Sequence, residues 1–225
     1  MQRAGPAEVA QREVSAKGRS MISVHCLDVS ALDPRDPDLL ARVDAQRRER
    51  IERFAKDEDK RLCLGAGLLL VEHIGSASVE RDERGKPFRA GGPPFSLSHS
   101  KTMALLAVGS MGAVGCDVEH CRSLDYLKIA QRAFAAEELR QIERATDPFE
   151  MFFRIWTLRE SYLKATGQGI AGDPSSVCFE VAEKAMLIRP VADNWKFREF
   201  SDVAGYRIAV CGEEPIGDVE IDVMG

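Results

Sequence analysis

The 225-residue sequence lacks the features that mark membrane and secreted proteins. No stretch approaches the roughly 18 apolar residues of a membrane-spanning helix, so we expect no membrane segment. Residues 1–20 carry charges throughout and contain no apolar core, which does not fit a secretory signal, and we expect a disordered leader there. Together these absences predict a cytoplasmic protein without a membrane partner.

Cysteine motifs are absent as well. The six cysteines include no CxxC pair, and the four histidines are not paired in sequence, so the common zinc-site patterns are missing. Most of the cysteines lie in apolar stretches, and we expect buried, reduced thiols. They are Cys26, Cys63, Cys116, Cys121, Cys178 and Cys211.

An overall basic charge is also missing, because the net charge is −5, and this argues against a nucleic-acid partner. The hydrophobic content of 44% is ordinary for a soluble protein, and the length suits one large domain or two halves of about 100 residues. Residues 41–61 are nevertheless dense in arginine. This segment has two interpretations, a site for a polyanionic small ligand or a solvated helix face paired with acids, and composition alone favours the second.

The order strand, helices, strands occurs twice along the chain, over 21–110 and again over 113–212. Alternation predicts strands at 21–30, 103–110 and 113–119, in "FSLSHS", and in "SVCFEVA", "AMLIRP", "WKFREF" and "YRIAVCG". Helical spacing predicts helices at 38–55, 57–75, 125–133, 135–145 and 148–166, with a Gly- and Pro-rich loop or hairpin at 81–94. The repeated order predicts two copies of one α+β unit, related by a pseudo-two-fold axis and joined near residues 110–113.

The strand at 113–119 ends in two acids that point the same way. Alternate residues of a strand face opposite sides of its sheet. One face is apolar, with Val114, Cys116 and Val118, and the other holds Ala113, Gly115, Asp117 and Glu119. Two small residues followed by two carboxylates indicate that another element approaches this face closely and that the two negative charges are compensated.

The predicted helix at 148–166 places an acid among apolar residues. At 3.6 residues per turn, an apolar stripe runs through Phe149, Phe152, Phe153, Trp156 and Leu163. Glu160 falls within this stripe, and Lys164 lies one turn further on. Glu160 alone is compatible with a pairing to Lys164 or Arg159 at the surface. Together with Asp117 and Glu119 it gives three carboxylates, an oxygen-only set that suits a hard cation such as Mg²⁺.

These two segments closely resemble the signature of the 4'-phosphopantetheinyl transferases, of the two-halved surfactin-synthetase type. The family's Gly-x-Asp-x-Glu strand is matched by Gly115, Asp117 and Glu119, and its helix motif by Trp156, Arg159, Glu160, Ser161 and Lys164. Further likenesses are "RRERIERF", "DEDKRLCLGAGLLL", "RGKPF" and "FSLSHS", so the resemblance runs in order from about residue 40 to 170. One departure is Arg159, which stands where lysine is common, with a possible effect on fine phosphate geometry.

The resemblance implies transfer of the 4'-phosphopantetheine group of coenzyme A to a serine of an acyl or peptidyl carrier protein. Adenosine 3',5'-bisphosphate is the other product, and Mg²⁺, sometimes Mn²⁺, is the metal. The implied fold is an α+β monomer of two pseudo-symmetric halves with the active site at their interface. We expect the N-terminal half, residues 21–111, to hold the basic residues that bind coenzyme A. The C-terminal half, residues 112–225, would hold the metal ligands and the catalytic helix.

The resemblance also assigns site residues. The metal ligands are Asp117, Glu119 and Glu160. Glu160 is the candidate base, and a water-mediated route is favoured because a bound cation lowers the pKa of a carboxylate. Lys164 contacts the transferring phosphate or, alternatively, pairs with Glu160. The coenzyme A phosphates are assigned to Arg47, Arg50, Arg61, Lys86, Ser98, His99 and Lys164, with Arg48 and Arg53 as substitutes if the alignment shifts by one.

Two other functions use the same residues. A magnesium-dependent phosphohydrolase acting on a nucleotide diphosphate would use the three carboxylates with water as the nucleophile. A non-catalytic module would grip coenzyme A or a carrier domain without transferring anything. A carrier helix is expected to meet the segment 123–134.

Overall fold

The computed structural model describes residues 21–168, 173–192 and 194–222, so the expected leader at 1–20 lies outside the described residues. The helices are α1 (Pro37–Ala41), α2 (Ala45–Arg53), α3 (Asp57–Ile74), α4 (Tyr126–Ala133), α5 (Ala136–Arg144) and α6 (Pro148–Thr166). The strands are β1 (Ile22–Asp28), β2 (Glu80–Arg81), β3 (Pro87–Phe88), β4 (Phe95–Ser100), β5 (Met103–Val108), β6 (Val114–His120), β7 (Cys178–Val181), β8 (Ala185–Arg189), β9 (Lys196–Phe200), β10 (Tyr206–Gly212) and β11 (Ile216–Ile221). The protein is therefore a mixed α/β fold.

The two long helices begin and end where the sequence predicts. Helix α6 starts at Pro148 behind Asp147, whose side chain accepts a hydrogen bond from the backbone N–H of Glu150, and it ends at Gly167 with φ of 67°. Helix α3 has three acids in its first turn and ends at Gly75 with φ of 77°. Each helix has acidic side chains at its start and a glycine at its end, which are ordinary signals of helix termini, so the sequence alone located both helices.

The single helix predicted at 38–55 is wrong, because the chain forms two helices there. Asp44 interrupts the run, since its side chain accepts a hydrogen bond from the backbone N–H of Arg47 at 2.8 Å and so caps α2. A short polar side chain that bonds to the backbone favours a helix start over a helix interior.

Two main sheets form the framework. One has the strand order β11-β1-β5-β4 and the other the order β6-β10-β9, while β2-β3 and β7-β8 are small hairpins. Strand β11 was not predicted; it pairs in parallel with β1, so the end of the described chain returns to the sheet in which the chain begins. The sequence did not predict β11 because Asp218 and Glu220 lie within it. An edge strand needs fewer apolar residues than a central strand, so its apolar pattern is weaker.

The edges of the two sheets meet through serine side chains. Hydroxyl groups of Ser96, Ser98 and Ser100 on β4 accept hydrogen bonds from the backbone N–H groups of Cys116, Val118 and His120 on β6, at 3.1, 3.4 and 3.0 Å. The alternation of serine in "FSLSHS" therefore joins one sheet to the other.

Three groups of buried apolar side chains hold the layers together. One lies beneath α3, one beneath α6, and the third between the two sheets, where Val24, Leu105, Cys116, Val118 and Val210 are completely buried. The six cysteines are free, and all are buried except the half-buried Cys121, which confirms the expectation from sequence. Within the described residues, no helix combines the length and apolarity needed to cross a lipid bilayer.

Candidate active site

Helix α6 lies directly on the acid-bearing face of β6. A Cβ atom on Gly115 would fall 2.0 Å from the carbonyl oxygen of Ser161 and 2.4 Å from the backbone nitrogen of Ala165. Only glycine permits this approach of helix to strand, so the close contact expected from sequence is confirmed. The contact brings the residues that follow Gly115 on β6 beneath Glu160 and Lys164 of α6.

Asp117 lies at the centre of this contact and is almost fully buried. Its Oδ1 accepts hydrogen bonds from Lys164 Nζ at 2.6 Å and from Ser98 Oγ at 2.8 Å. Its Oδ2 is buried and has no hydrogen-bond partner among the described residues. A buried carboxylate oxygen without a partner is costly, and it is a position from which a bound cation would be coordinated.

The two glutamates flank this aspartate. Glu119 Oε2 accepts a hydrogen bond from Ser100 Oγ at 2.9 Å. The pKa of Glu160 is raised to about 7, first by burial and next by the negative charge of Asp117, while Lys164 and Arg159 partly offset the shift. Burial also raises the pKa values of Asp117 and Glu119, and Asp117 adds to the shift at Glu119. The three carboxylates therefore lie close enough to repel one another, a cost that a divalent cation would remove.

The carboxylates are not gathered to the spacing of a bound ion. No choice of one carboxylate oxygen from each of Asp117, Glu119 and Glu160 puts all three oxygens within 4.8 Å of one another. Lys164 takes the place of a cation beside Asp117. Burial lowers the pKa of Lys164, but the charge of Asp117, the hydrogen bond to it and the neighbouring Cys116 and Glu160 together outweigh burial, so the pKa is raised. Lys164 is thus hydrogen-bonded to Asp117 and Ser98, in place of the alternative pairing with Glu160.

The apolar stripe expected on α6 is partly wrong. Phe152 and Phe153 are buried as predicted, but the remaining core positions are Ile155, Leu158, Tyr162 and Ala165, while Phe149, Trp156 and Leu163 are only partly buried. Glu160 therefore lies at the border of the buried face. Trp156 packs against Phe134 and Phe152, with ring centroids 6.1 and 5.8 Å apart, which is a packing role.

Arg159 faces the interior of the C-terminal half. Its guanidinium donates hydrogen bonds to Glu138 Oε2 at 2.7 Å and to the carbonyl oxygen of Val177. Glu138 is fully buried and also accepts from the backbone N–H groups of Phe179 and Ala135, both at 2.9 Å. The pair holds α6 against α5 and β7, and no sequence pattern predicts this partner for Arg159.

A second, basic region lies on the N-terminal half. A pocket of about 650 Å³ opens between α2, the segment 77–81 and Arg89. Its arginines are Arg47, Arg50, Arg53, Arg81 and Arg89. Sequence reasoning missed Arg81 and Arg89, which lie in the hairpin region 81–94 and come close to α2 only through folding.

The arginines assigned from sequence differ in their surroundings. Arg50 and Arg47 both line the pocket, but Arg47 is buried and donates a hydrogen bond to the carbonyl oxygen of Ala77 at 3.1 Å. Arg48 donates to two backbone carbonyls of the preceding turn and does not line the pocket, so of the two substitutes only Arg53 does. Arg61 lies apart, with its Nε bonded to the carbonyl oxygen of Leu32 at 2.9 Å.

Lys86 and His99, also assigned to the coenzyme A phosphates, lie outside the lining of this pocket. Lys86 Nζ donates to the carbonyl oxygens of Val114 at 3.1 Å and Ala165 at 3.0 Å, so it joins the start of β6 to the last turn of α6. The pKa of His99 is lowered, first by loss of solvent around the ring and then by the positive charges of Lys164 and Arg50. The charges of Arg50, in the arginine pocket, and of Lys164 and Asp117, at the carboxylates, therefore all act on His99.

Comparisons with known proteins identify the family. Residues 113–211 match the 4'-phosphopantetheinyl transferase superfamily. The chain is 35% identical over 199 residues to the 4'-phosphopantetheinyl transferase HetI of Nostoc sp., covering 79% of this chain and 83% of HetI. It is 28% identical over 198 residues to the 4'-phosphopantetheinyl transferase psf-1 of Bacillus pumilus, covering 81% and 84%.

Among solved structures, Thermotoga maritima holo-[acyl-carrier-protein] synthase aligns over 46% of this chain and 63% of its own, with 22% identity and a TM-score of 0.38. The mixed α/β fold and the matches over most of the chain place the protein among enzymes of the phosphopantetheinyl transferase class. The chain belongs to the 4'-phosphopantetheinyl transferase superfamily.

Proposed function

We propose that this protein transfers the 4'-phosphopantetheine group of coenzyme A to a serine of an acyl or peptidyl carrier protein and releases adenosine 3',5'-bisphosphate. One observation carries the proposal. Helix α6 rests on Gly115 so closely that Glu160 and Lys164 lie over Asp117, whose buried Oδ2 has no partner. This arrangement suits the attack of an alcohol on a pyrophosphate, where charge on phosphate oxygens must be stabilised.

The oxygen-only donor set of Asp117, Glu119 and Glu160 fits Mg²⁺ or Mn²⁺. The unpartnered Asp117 Oδ2 and the mutual repulsion of the carboxylates support that fit. When bound, the ion would neutralise charge on the pyrophosphate. With its charge beside Asp117 replaced by that of the ion, Lys164 would donate its hydrogen bonds to the transferring phosphate, and Ser98 would keep Asp117 oriented. Glu160 accepts the proton of the carrier serine through a water molecule.

The arginine pocket is proposed to bind the nucleotide end of coenzyme A. Its volume of about 650 Å³ suits a ligand of that size. Arg50 and Arg53 line it, and guanidinium groups bind phosphate through paired hydrogen bonds. His99 lies between the pocket and Lys164, where the pyrophosphate would pass. We propose phosphate contacts for Arg47, Arg61 and Lys86 as well, although each now bonds to a backbone carbonyl and would have to share or exchange that bond.

The proposed site lies between two halves. Residues 21–111 supply the arginine pocket, and residues 112–225 supply the carboxylates and α6. The serine bridges between β4 and β6 support this division, since they join the two sheets at the carboxylates. On the surface of the second half, the exposed Leu127 of α4 supports a carrier contact within 123–134.

Mass spectrometry of candidate carrier proteins tests the reaction. Incubation of the enzyme with a carrier protein, coenzyme A and Mg²⁺ should add one phosphopantetheine to a carrier serine. Omission of the carrier should leave coenzyme A intact, because rapid hydrolysis without a carrier would instead establish a phosphohydrolase. Binding of coenzyme A with no modification of any carrier would establish a non-catalytic module.

A further inference from the structure

A cluster of side chains that are able to bind a metal lies outside the proposed active site, where the last turn of α3 meets β1 and the end of β11. It contains His25 on β1, His73 in the last turn of α3, and Asp222 directly after β11. One ligand atom from each of these residues lies within 4.8 Å of the other two. The cluster therefore joins three elements that are far apart in sequence.

Two buried atoms in the cluster have no hydrogen-bond partner. The side chain of His25 is 5% exposed, and its Nδ1 is unpartnered among the described residues. Asp222 Oδ2 is also buried and unpartnered, and it lies 3.8 Å from that nitrogen, too far for a hydrogen bond. Buried polar atoms of folded proteins nearly always have partners, so two unpartnered atoms that face each other point to a missing ligand between them.

The distances match those between the ligands of a tetrahedral zinc ion. With metal–ligand bonds of roughly 2.0–2.1 Å, neighbouring ligand atoms of a tetrahedron lie about 3.3 Å apart. Here His73 Nε2 lies 3.1 Å from Asp222 Oδ1, in a hydrogen bond that a metal ion would replace, and His25 Nδ1 lies 3.8 Å from the other oxygen of that carboxylate, Oδ2. The exposed Glu220 places its Oε2 3.3 Å from His25 Nδ1, where it is able to act as a fourth ligand.

The chemistry of the cluster also differs from that of the proposed active site. Imidazole nitrogens together with carboxylates are a usual donor set for Zn²⁺, whereas Mg²⁺ takes oxygen ligands. The neutral imidazole is the form that coordinates a metal.

We propose that His25, His73 and Asp222, with Glu220 as the exposed fourth ligand, bind a structural Zn²⁺ ion. The ion ties β11, the last described strand, to β1 and to the end of α3. The two imidazole rings are stacked, with centroids 3.5 Å apart and an interplanar angle of 16°. Because the lone pair of each ring nitrogen lies in the ring plane, the rings must turn out of this stack to bind one ion. Zinc binding is therefore expected to change the stacking of these rings.

Titration of the metal-free full-length protein with Zn²⁺, in excess Mg²⁺ to occupy the carboxylate site, tests the proposal. Calorimetry should show one tight Zn²⁺ per chain, Co²⁺ in its place should give the visible absorption of a tetrahedral site, and Zn²⁺ should raise the melting temperature. H73Q should weaken Zn²⁺ binding by more than about 100-fold, because a ligand is lost outright. The glutamine amide still donates to Asp222, so the variant is expected to fold.

The matched control is H120Q, which removes a histidine of β6 outside the cluster and should leave Zn²⁺ affinity unchanged. D222N should weaken binding as H73Q does, and E220Q should have a smaller effect because Glu220 is exposed. Absence of tight Zn²⁺ binding in the wild type, or equal affinity in the wild type, H73Q and D222N, would overturn the proposal. If a variant fails to fold, nitrogen NMR of the wild type decides the question, since Zn²⁺ must shift His25 Nδ1 and His73 Nε2.

Discussion

The two long helices of this protein each lie on a sheet but bury different kinds of side chain. Helix α3 buries a block of leucines, including Leu64, Leu68 and Leu70, and none of its buried residues is charged. Helix α6 buries Thr157, Arg159 and Ser161 among its apolar residues. The difference indicates that α3 is a packing element, whereas α6 must also hold charged groups at a fixed position.

The glycines at the two contacts show the same contrast. On α3 the glycine is on the helix, where a Cβ on Gly65 would lie 2.3 Å from the Cγ1 of Val29, a movable side chain. At α6 the glycine is on the strand, where a Cβ on Gly115 would meet helix backbone. Backbone cannot move aside as a side chain can, so the position of α6 is defined more strictly. We expect changes at α6 to affect activity and changes at α3 to affect stability alone.

Loss of the buried ion pair beneath α6 should have the largest effect on stability. E138Q removes the carboxylate charge that is hydrogen-bonded to the buried Arg159, and the free energy of unfolding should fall by about 3–5 kcal/mol. Urea denaturation followed by circular dichroism measures the change. D57N, at the solvent-exposed pair between α3 and Arg35, is the matched control and should change stability little. Equal effects of E138Q and D57N would contradict the anchoring of α6 by this pair.

Neutralising the carboxylate of α6 should separate activity from stability. E160Q should lower the rate of carrier modification by at least about 100-fold, because the proposed metal ligand and proton acceptor is lost. Stability of the metal-free protein should stay the same or rise, since burial, and next the charge of Asp117, disfavours the ionised carboxylate and raises the pKa of Glu160 to about 7.

The control for E160Q is L68A on α3. It should lower the free energy of unfolding by about 2–5 kcal/mol while each folded molecule keeps the wild-type rate. Rates of phosphopantetheine transfer, normalised to the folded fraction, provide the comparison. A wild-type rate for E160Q would remove Glu160 from the mechanism.

Displacing α6 from β6 should produce a combined effect. G115A introduces a Cβ that overlaps helix backbone, and it should cost about 1–3 kcal/mol of stability and reduce transfer at the same time. G92A is the control, because its Cβ would lie 3.2 Å from the movable side chain of Arg89. Wild-type melting temperature and rate for G115A would show that the helix position is not restricted by this glycine.

Loss of a serine bridge between the sheets should have the smallest effect, and two such variants should distinguish a structural serine from one that also affects transfer. S96A removes a hydroxyl bonded to the backbone of Cys116, and S98A removes one that also contacts Asp117 and Lys164. Each should cost about 1 kcal/mol of stability. Only S98A should also slow transfer, by about tenfold. Steady-state kinetics with both variants would test this, and equal rates would place Ser98 among the purely structural bridges.

Much of the fold followed from local signals. Capping residues located α3 and α6, and alternation located β4, β5, β6 and β10, because these features depend on neighbours in sequence. Strand β11 and the break between α1 and α2 were missed. The strand depends on pairing with β1 across the whole chain, and the break depends on one side-chain hydrogen bond of Asp44.

Part of the proposed site was also predicted from local sequence signals. The motif positions of Gly115 and Glu160 are readable because each lies in a regular element. The structure adds what no spacing reveals: the pairing of Lys164 with Asp117, the bond of Arg159 to Glu138, and the arginines of the hairpin region that reach α2 through folding. The cluster of His25, His73 and Asp222 was hidden because its members are separated by 48 and 149 positions in sequence.

A crystal structure with coenzyme A and Mn²⁺, analysed by anomalous scattering, tests the central claim most directly. We predict one manganese peak within coordination distance of Asp117 Oδ2, Glu119 and Glu160, with Lys164 moved off Asp117 toward the pyrophosphate. A manganese peak elsewhere, with Lys164 still bonded to Asp117 beside bound coenzyme A, would contradict the account.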